Sequence, residues 1–205
     1  MSQPLTIGLT GGIASGKSFA STLFIALGVP LLEADDVARS VVALGSDGLA
    51  AISARFGAAV LQPDGSLHRR ALRKIVFDDA SARRDLEAIT HPLIRREVAA
   101  WRARQTAPYC IYAAAILIES GFDSGVDRVL VVDVPEAIQK QRLQARDGIS
   151  AELAEQMIHA QASRHRRLVR ADDVLDNRDE TRSLQTQVAR LHQHYTRLGR
   201  AARGI

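Results

Sequence analysis

The stretch Gly11-Gly12-Ile13-Ala14-Ser15-Gly16-Lys17-Ser18 constrains the fold of this chain more than any other. It fits the pattern G-x-x-x-x-G-K-S. The apolar run 5–10 precedes it and a helix-forming segment, 17–27, follows it. A loop of this kind turns successive backbone N–H groups inward around phosphate oxygens. Gly11 and Gly16 permit the tight curl, and a helix starting at Lys17 points its positive end at the same anion. Lys17 can reach β- and γ-phosphates, and the Ser18 hydroxyl can hold Mg2+. The spacing therefore implies a nucleoside-triphosphate site between a strand and its following helix. Lys17, Lys74 and Lys140 are the only lysines among 27 Lys and Arg residues, so a lysine in the loop stands out in a chain that otherwise uses Arg.

The rest of the chain alternates strand and helix signals. Residues 29–32 and 110–118 are strand candidates. So is 128–134, whose Val129-Leu130-Val131-Val132 run suits a parallel strand covered on both faces. Val174 and Leu175 mark a short last strand. Helices are predicted at 136–146, stopped by Asp147-Gly148, and at 151–170, capped by Ser150. Leu184, Val188, Leu191, Tyr195 and Leu198 form the buried stripe of a C-terminal helix. From 45 to 105 the pattern is helical, with a turn at Asp64-Gly65 and breaks at 62–68 and at His91-Pro92. Leu86, Ile89, Leu93 and Ile94 suggest packed helices there. This order predicts an α/β fold, a doubly wound parallel sheet with right-handed crossovers, and a helical insert forming a second lobe.

Composition narrows the function classes. A length of 205 residues allows one well-buried core but excludes a large motor. Aromatics make up only 4%, so the core must rest on Ala, Leu, Ile and Val. Cys110 is the lone cysteine, which rules out an intrachain disulfide; in its apolar run it reads as a small buried hydrophobe. No apolar run approaches the ~20 residues that cross a bilayer, and no leader pattern opens the chain, so a cytoplasmic protein without a membrane partner is expected. The net charge of +4, carried mostly by Arg, suits polyanionic small substrates or simply solvated helix faces. Aromatics do not interleave the basic clusters, so no nucleic-acid partner is expected. The absence of an N-K-x-D stretch argues against a GTPase. Small-molecule kinases remain. The histidines show no metal-ligand spacing.

Asp35 and Asp36 follow the second strand, where ligands of a doubly wound sheet bind. A carboxylate there can take a proton from a substrate hydroxyl; equally, it can cap the next helix. Arg142 and Arg146 lie one helical turn apart and share a face. They can stabilise a moving phosphoryl group or make a solvated basic face. Arg164, Arg166, Arg167 and Arg170 cluster toward the end of the next helix, where some can complement its dipole. Asp133 is a candidate metal ligand, or simply the start of a turn.

In order and spacing, the stretches GLTGGIASGKS, EADDVAR, FGAAVLQPDGSLHRRALRKIVF, THPLI, LIESG, VLVVDVP, QKQRLQARDGIS and ADDVLDN resemble the dephospho-CoA kinase family over nearly the whole chain. The resemblance implies a five-stranded P-loop core (about 1–35, 108–145 and 171–205), a helical acceptor lobe (about 36–107) and a lid (about 146–170). It implies ATP as donor, Mg2+, and dephospho-CoA as the small-molecule acceptor, phosphorylated on its ribose 3′-hydroxyl in the last step of CoA synthesis. A monomer is the expectation, with oligomerisation left open. Residue by residue, Asp35 matches the acidic residue thought to act as base. Gly11 to Ser18, with Phe19 next to them, match the ATP phosphate site, and Ser18 the metal position. Arg142 and Arg146 match lid-side arginines, and Asn177 a position near the adenine pocket. Thr10, Arg69, His91 and Glu119 match acceptor-side motif positions. The chain departs from the family pattern at Ala14, where glycine is common and a negative φ would make alanine acceptable. It departs also at Glu33, which replaces the first Asp of D-A-D, at Ala115, in place of a proline, and at Arg167, in place of a lysine.

Overall fold

The computed structural model describes residues 3–178 and 181–204. The chain runs β1 (Leu5–Gly11), α1 (Lys17–Ala26), β2 (Leu31–Glu33), α2 (Ala34–Ser40), α3 (Asp47–Phe56), α4 (Arg69–Asp78) and α5 (Ala80–Ala103). It continues through β3 (Tyr109–Ala113), β4 (Arg128–Asp133), α6 (Glu136–Asp147), α7 (Ala151–His159), α8 (Arg164–Val169), β5 (Asp173–Asp176) and α9 (Thr181–Arg203). It divides into two compact units, 1–33 with 105–205, and 34–104.

The first unit carries the five-stranded sheet, in the order β2-β3-β1-β4-β5. Every strand pair is parallel, as the doubly wound pattern requires. Alternate residues of the strands point to one face: Ile7 and Leu9 of β1, Ile111 of β3, Leu130 and Val132 of β4 and Leu175 of β5. Ala20 and Phe24 of α1, and Leu184, Val188 and Tyr195 of α9, close over them. Each such Leu or Ile contributes about 1.5–3 kcal/mol by leaving water. The predicted stripe of the C-terminal helix is thus the seam that α9 lays on the sheet. On the other face, a Cβ on Gly8 would stand 2.7 Å from Leu117 and 2.9 Å from Val126, so glycine lets the 114–126 segment lie close.

Three expectations need correction. The strand placed at 110–118 ends at Ala113. Ala114 still donates to the Leu9 carbonyl, and the chain then turns, with the Ser120 N–H on the Ile116 carbonyl. Leu117 and Ile118 are buried as part of this covering turn. A continuous apolar run carries no mark of where strand gives way to buried turn. The helix placed at 151–170 is two helices, α7 and α8, separated by residues 160–163. Ser150 caps the first as expected, accepting from the Leu153 N–H at 3.2 Å. Ser163 caps the second by accepting from the Arg166 N–H at 3.2 Å.

The second unit is helical, and here the break at His91-Pro92 does not occur: α5 passes straight through Pro92. Proline removes one i→i−4 bond, but the half-buried stripe Leu86, Ile89, Leu93, Ile94 continues across it and holds the helix to one face. The carboxylate of Asp79 caps α5, accepting from the Ser81 and Ala82 N–H groups at 2.6 and 3.2 Å. The turn at Asp64-Gly65 forms as expected, with Gly65 at φ +82° and the Ser66 N–H donating to the Asp64 carboxylate.

Candidate active site

β1 is the central strand, and it delivers Gly11 to the carboxyl edge of the sheet. A Cβ on Gly11 would lie 2.5 Å from Ser15 Oγ and 2.8 Å from the Val132 carbonyl, so the chain can leave β1 here only as glycine. The Ser15 N–H donates to the Gly12 carbonyl at 3.0 Å and closes a four-residue turn. Gly16, at φ 95°, then starts α1 with no side-chain cap and no acidic residue in the first turn. The helix end keeps its N–H groups and positive dipole end available to an anion.

Ala14 does not meet the condition, a negative φ, that would make alanine acceptable where glycine is common. It sits at φ 57°, the left-handed region, as the third residue of the turn closed by Gly12 and Ser15, a place that favours glycine. The β-carbon makes this conformation cost about 1–2 kcal/mol. Such strain persists only where the surroundings over-determine it, and here they do. Gln139 Nε2 donates to the Ile13 carbonyl at 2.6 Å. The Ile13 N–H donates to Gln161 Oε1 at 2.7 Å. Asn177 Nδ2 donates to the Ser15 carbonyl at 2.7 Å.

Lys17, the loop cation, bonds Glu33 Oε2 at 2.9 Å, and Ser21 donates to the other Glu33 oxygen at 3.0 Å. The extra methylene of Glu33 at the end of β2 gives it the reach to hold both. Arg142 and Arg146 leave the same helix for different partners. Arg142 donates to the Asn177 carbonyl at 2.9 Å, whereas Arg146 is exposed and forks onto its neighbour Asp147 at 2.7 and 2.8 Å. Asp133 ends β4 and is committed to a two-pronged bond with Arg164, at 2.9 and 2.7 Å; that bond raises the Arg164 pKa above its ordinary value. Arg170 pairs with Asp123 at 3.0 Å. Arg167 is buried at 5% exposure and donates to the Ala162 carbonyl. Burial pulls its pKa below the ordinary value, and Glu119, Asp133 and Glu136 push it back. A Cβ on Gly12 would fall 2.5 Å from Arg167 Nη2, which puts this cation against the loop.

The first unit thus brings together the loop residues Gly11 to Ser18, Lys17 among them, with Asn177, Arg142 and Glu119. Asn177 is 8% exposed and braces the loop from behind. Glu119 Oε1 accepts from the Ala162 N–H at 2.7 Å, and its Oε2 is buried with no hydrogen-bond partner among the described residues. Thr10 is buried and donates to the Ala115 carbonyl at 3.4 Å. Ser18 and Phe19 are exposed on the first turn of α1. Asp35, Arg69 and His91 belong to the second unit. Asp35 lies in the first turn of α2, one residue inside the helix start, so it is not the cap. Its carboxylate is exposed and makes no hydrogen bond among the described residues; that of Asp36 is taken by Arg39. Arg69 is exposed at the start of α4, and His91 is half-buried in mid-α5. Gln139, Gln161 and the pairing role of Glu33 escape a reading of the sequence. Glutamine carries no motif signal, although Ser163 following Gln161 and Ala162 does mark a helix start.

A parallel sheet in the order β2-β3-β1-β4-β5, with this loop closing its central strand, defines a nucleotide-binding protein of the P-loop class. The family model described as dephospho-CoA kinase (CoaE) matches residues 5–183, and the chain belongs to that family. It is similar to the dephospho-CoA kinase of Xanthomonas campestris pv. campestris (strain 8004), 53% identical over 192 residues, which are 92% of this chain and 92% of that one. The crystal structure of TT1252 from Thermus thermophilus matches with a TM-score of 0.81 at 30% identity, over 94% of this chain and 98% of that one. The dephospho-CoA kinase from Campylobacter jejuni shares the fold, with a TM-score of 0.71 at 23% identity over 94% and 97% of the two chains. Family membership makes the chain a phosphotransferase acting on a hydroxyl group, with ATP as the phosphoryl donor. Among the described residues, no helix is long and apolar enough to cross a membrane.

Proposed function

We propose that this protein transfers the γ-phosphoryl group of ATP to the ribose 3′-hydroxyl of dephospho-CoA, giving CoA and ADP. The observation that carries the reading is the phosphate loop, braced in shape by Gln139, Gln161 and Asn177 and opening onto an uncapped helix start. The loop amides and Lys17 bind the donor phosphates. To do so the Lys17 ammonium exchanges its Glu33 oxygen for a phosphate oxygen, a trade between two anions. Arg142 and Arg146 carry charge to the moving phosphoryl group, and Arg146 gives up only an exposed bond to Asp147 to reach it. Asp35, exposed and without a hydrogen-bond partner among the described residues, takes the proton of the acceptor hydroxyl, while Thr10, Arg69, His91 and Glu119 serve the acceptor side. Asn177 belongs to the adenine end of the nucleotide site. Residues 36–107 form the acceptor lobe and 146–170 the lid.

The donor set fits Mg2+. No group of three His, Cys, Asp or Glu gathers among the described residues, but this ion keeps several waters and leans on substrate phosphates, and in P-loop enzymes the loop Ser or Thr supplies a protein oxygen, here the exposed Ser18 hydroxyl. When bound, Mg2+ would neutralise charge on the β- and γ-phosphate oxygens. The protein acts as a monomer in the cytoplasm on this reading; its single buried thiol, Cys110, calls for no oxidising compartment.

The test is incubation with ATP and a panel of acceptors: dephospho-CoA, nucleoside monophosphates and sugar acids, with products read by mass spectrometry. CoA from dephospho-CoA is expected, and its absence overturns the assignment. Asp35→Asn should keep ATP binding and lower turnover roughly 10²–10⁴-fold, the usual loss with a general base. Near-normal turnover in that variant would remove Asp35 from the chemistry.

A further inference from the structure

Ala14 holds a left-handed conformation, φ 57°, in a loop whose shape sets the direction of the phosphate-binding amides. Both peptides flanking Ile13 are fixed by glutamine side chains. Gln139, on α6, donates its amide to the Ile13 carbonyl at 2.6 Å, which pins the peptide immediately before Ala14. Gln161, in the α7–α8 junction, accepts the Ile13 N–H at 2.7 Å, which pins the peptide before that. The partners dictate how each glutamine amide is turned, since a carbonyl requires the NH2 and an N–H requires the oxygen. Gln139 is 1% exposed and has no room to swing away. Gln161 is held in turn by its neighbour: the Ala162 N–H donates to Glu119 and the Ala162 carbonyl accepts from Arg167.

We propose that Gln139 and Gln161 are positioning residues for ATP, a two-sided clamp on Ile13 that holds the Ala14 conformation and keeps the loop ready for phosphate before any ligand arrives. Without the clamp, Ala14 relaxes toward negative φ, the peptide before it rotates, and only a fraction of molecules presents a binding-competent loop. Apparent affinity falls by that fraction. Glycine at position 14 adopts the left-handed region without a β-carbon penalty, so it removes the need for the clamp. The proposal rests on the reading of this loop as the ATP site.

The experiment compares wild type, Gln139→Met, Gln161→Met, Ala14→Gly and the Ala14→Gly doubles of each glutamine variant. Methionine keeps the length of the side chain and loses the hydrogen bond. ATP binding is measured calorimetrically without acceptor, and kcat at saturating ATP separately. Each methionine variant should weaken ATP binding roughly fivefold, the equivalent of one neutral hydrogen bond, with kcat within about twofold of wild type. Adding Ala14→Gly should bring either variant to the affinity of the Ala14→Gly single variant. A merely structural role for the glutamines would show no such rescue. Wild-type affinity in Gln161→Met, or methionine and glycine effects that simply add, overturns the clamp. Gln161 is half-buried rather than buried, so its variant carries the test should Gln139→Met fold poorly. Because the readout is ATP binding alone, failure to phosphorylate dephospho-CoA would overturn the acceptor assignment and leave these comparisons intact.

Discussion

Replacing Gly16 by alanine should be among the most costly single-methyl additions in this protein, and its cost separates into two parts. Gly16 has φ +95°, where a β-carbon costs about 1–2 kcal/mol. The new Cβ would also stand 2.3 Å from Asn177 Nδ2. Asn177 cannot easily yield: it is 8% exposed, its own N–H is bound to the Asp133 carbonyl, and its carbonyl accepts from Arg142. Displacing its side chain breaks the bond to Ser15 and leaves buried polar groups unpaired, a further cost of about 1–3 kcal/mol. Together these predict a loss of about 2–5 kcal/mol, or about 10 °C in Tm for a chain of this length. Two other glycines isolate the parts. Gly28 has φ +76° with nothing within 4 Å of an added Cβ, so Gly28→Ala reports the backbone penalty alone. In an Asn177→Ala background the clash disappears, and the added cost of Gly16→Ala should fall to that of Gly28→Ala. Urea and thermal unfolding of the four variants measure this. Equal costs for Gly16→Ala and Gly28→Ala in the wild-type background would refute the view that Asn177 braces the loop.

Glu33→Ala leaves the Lys17 ammonium and the buried Ser21 hydroxyl without their acceptor, and should destabilise by about 1–3 kcal/mol in urea unfolding. Glu33→Gln can still accept from Lys17 and donate to Ser21, and should cost less than about 1 kcal/mol; equal losses would contradict this account of the pair. Tyr195→Phe removes the bond from a buried hydroxyl to Asp173 at 2.8 Å. Because Arg128 still pairs with that carboxylate, the loss should be about 1 kcal/mol. With Asp173 at the start of β5, at the opposite edge of the sheet from the loop, kcat/KM should not change; a fall in kcat/KM would count against this assignment. Ala14→Gly relieves about 1–2 kcal/mol of backbone strain but adds about 0.5–1 kcal/mol of unfolded-chain entropy, so a net gain of about 0–1.5 kcal/mol is expected. A clear loss in thermal unfolding would mean that residue 14 does not hold a positive φ.

Much of this protein is legible along the chain because the determining physics is local. The strand-loop-helix at 5–27, the buried run at 128–133, the Ser150 cap and the α9 stripe all depend on residues within a few positions of one another, and the structure forms them where expected. The loop's glycines and lysine fix the class of chemistry for the same reason. What the tertiary structure decided are matters of partner and space. Pro92 reads as a stop by its own geometry, yet α5 passes through it because the apolar stripe on either side packs as one helix. The apolar run after β3 could be strand or turn until the open face above Gly8 called for a cover. Alanine at position 14 is acceptable on sequence grounds only at negative φ, yet Ala14 holds φ 57°; its restraints come from Gln139, Gln161 and Asn177, more than a hundred residues away. Arg142 and Arg146 share a helical face by spacing, but their partners follow from which acceptors the fold places nearby. Periodicity and motif spacing determine which elements form and what chemistry they can bear. Only the close approach of distant segments determines which polar groups meet, because a hydrogen bond is decided by a few tenths of an ångström that no linear pattern encodes.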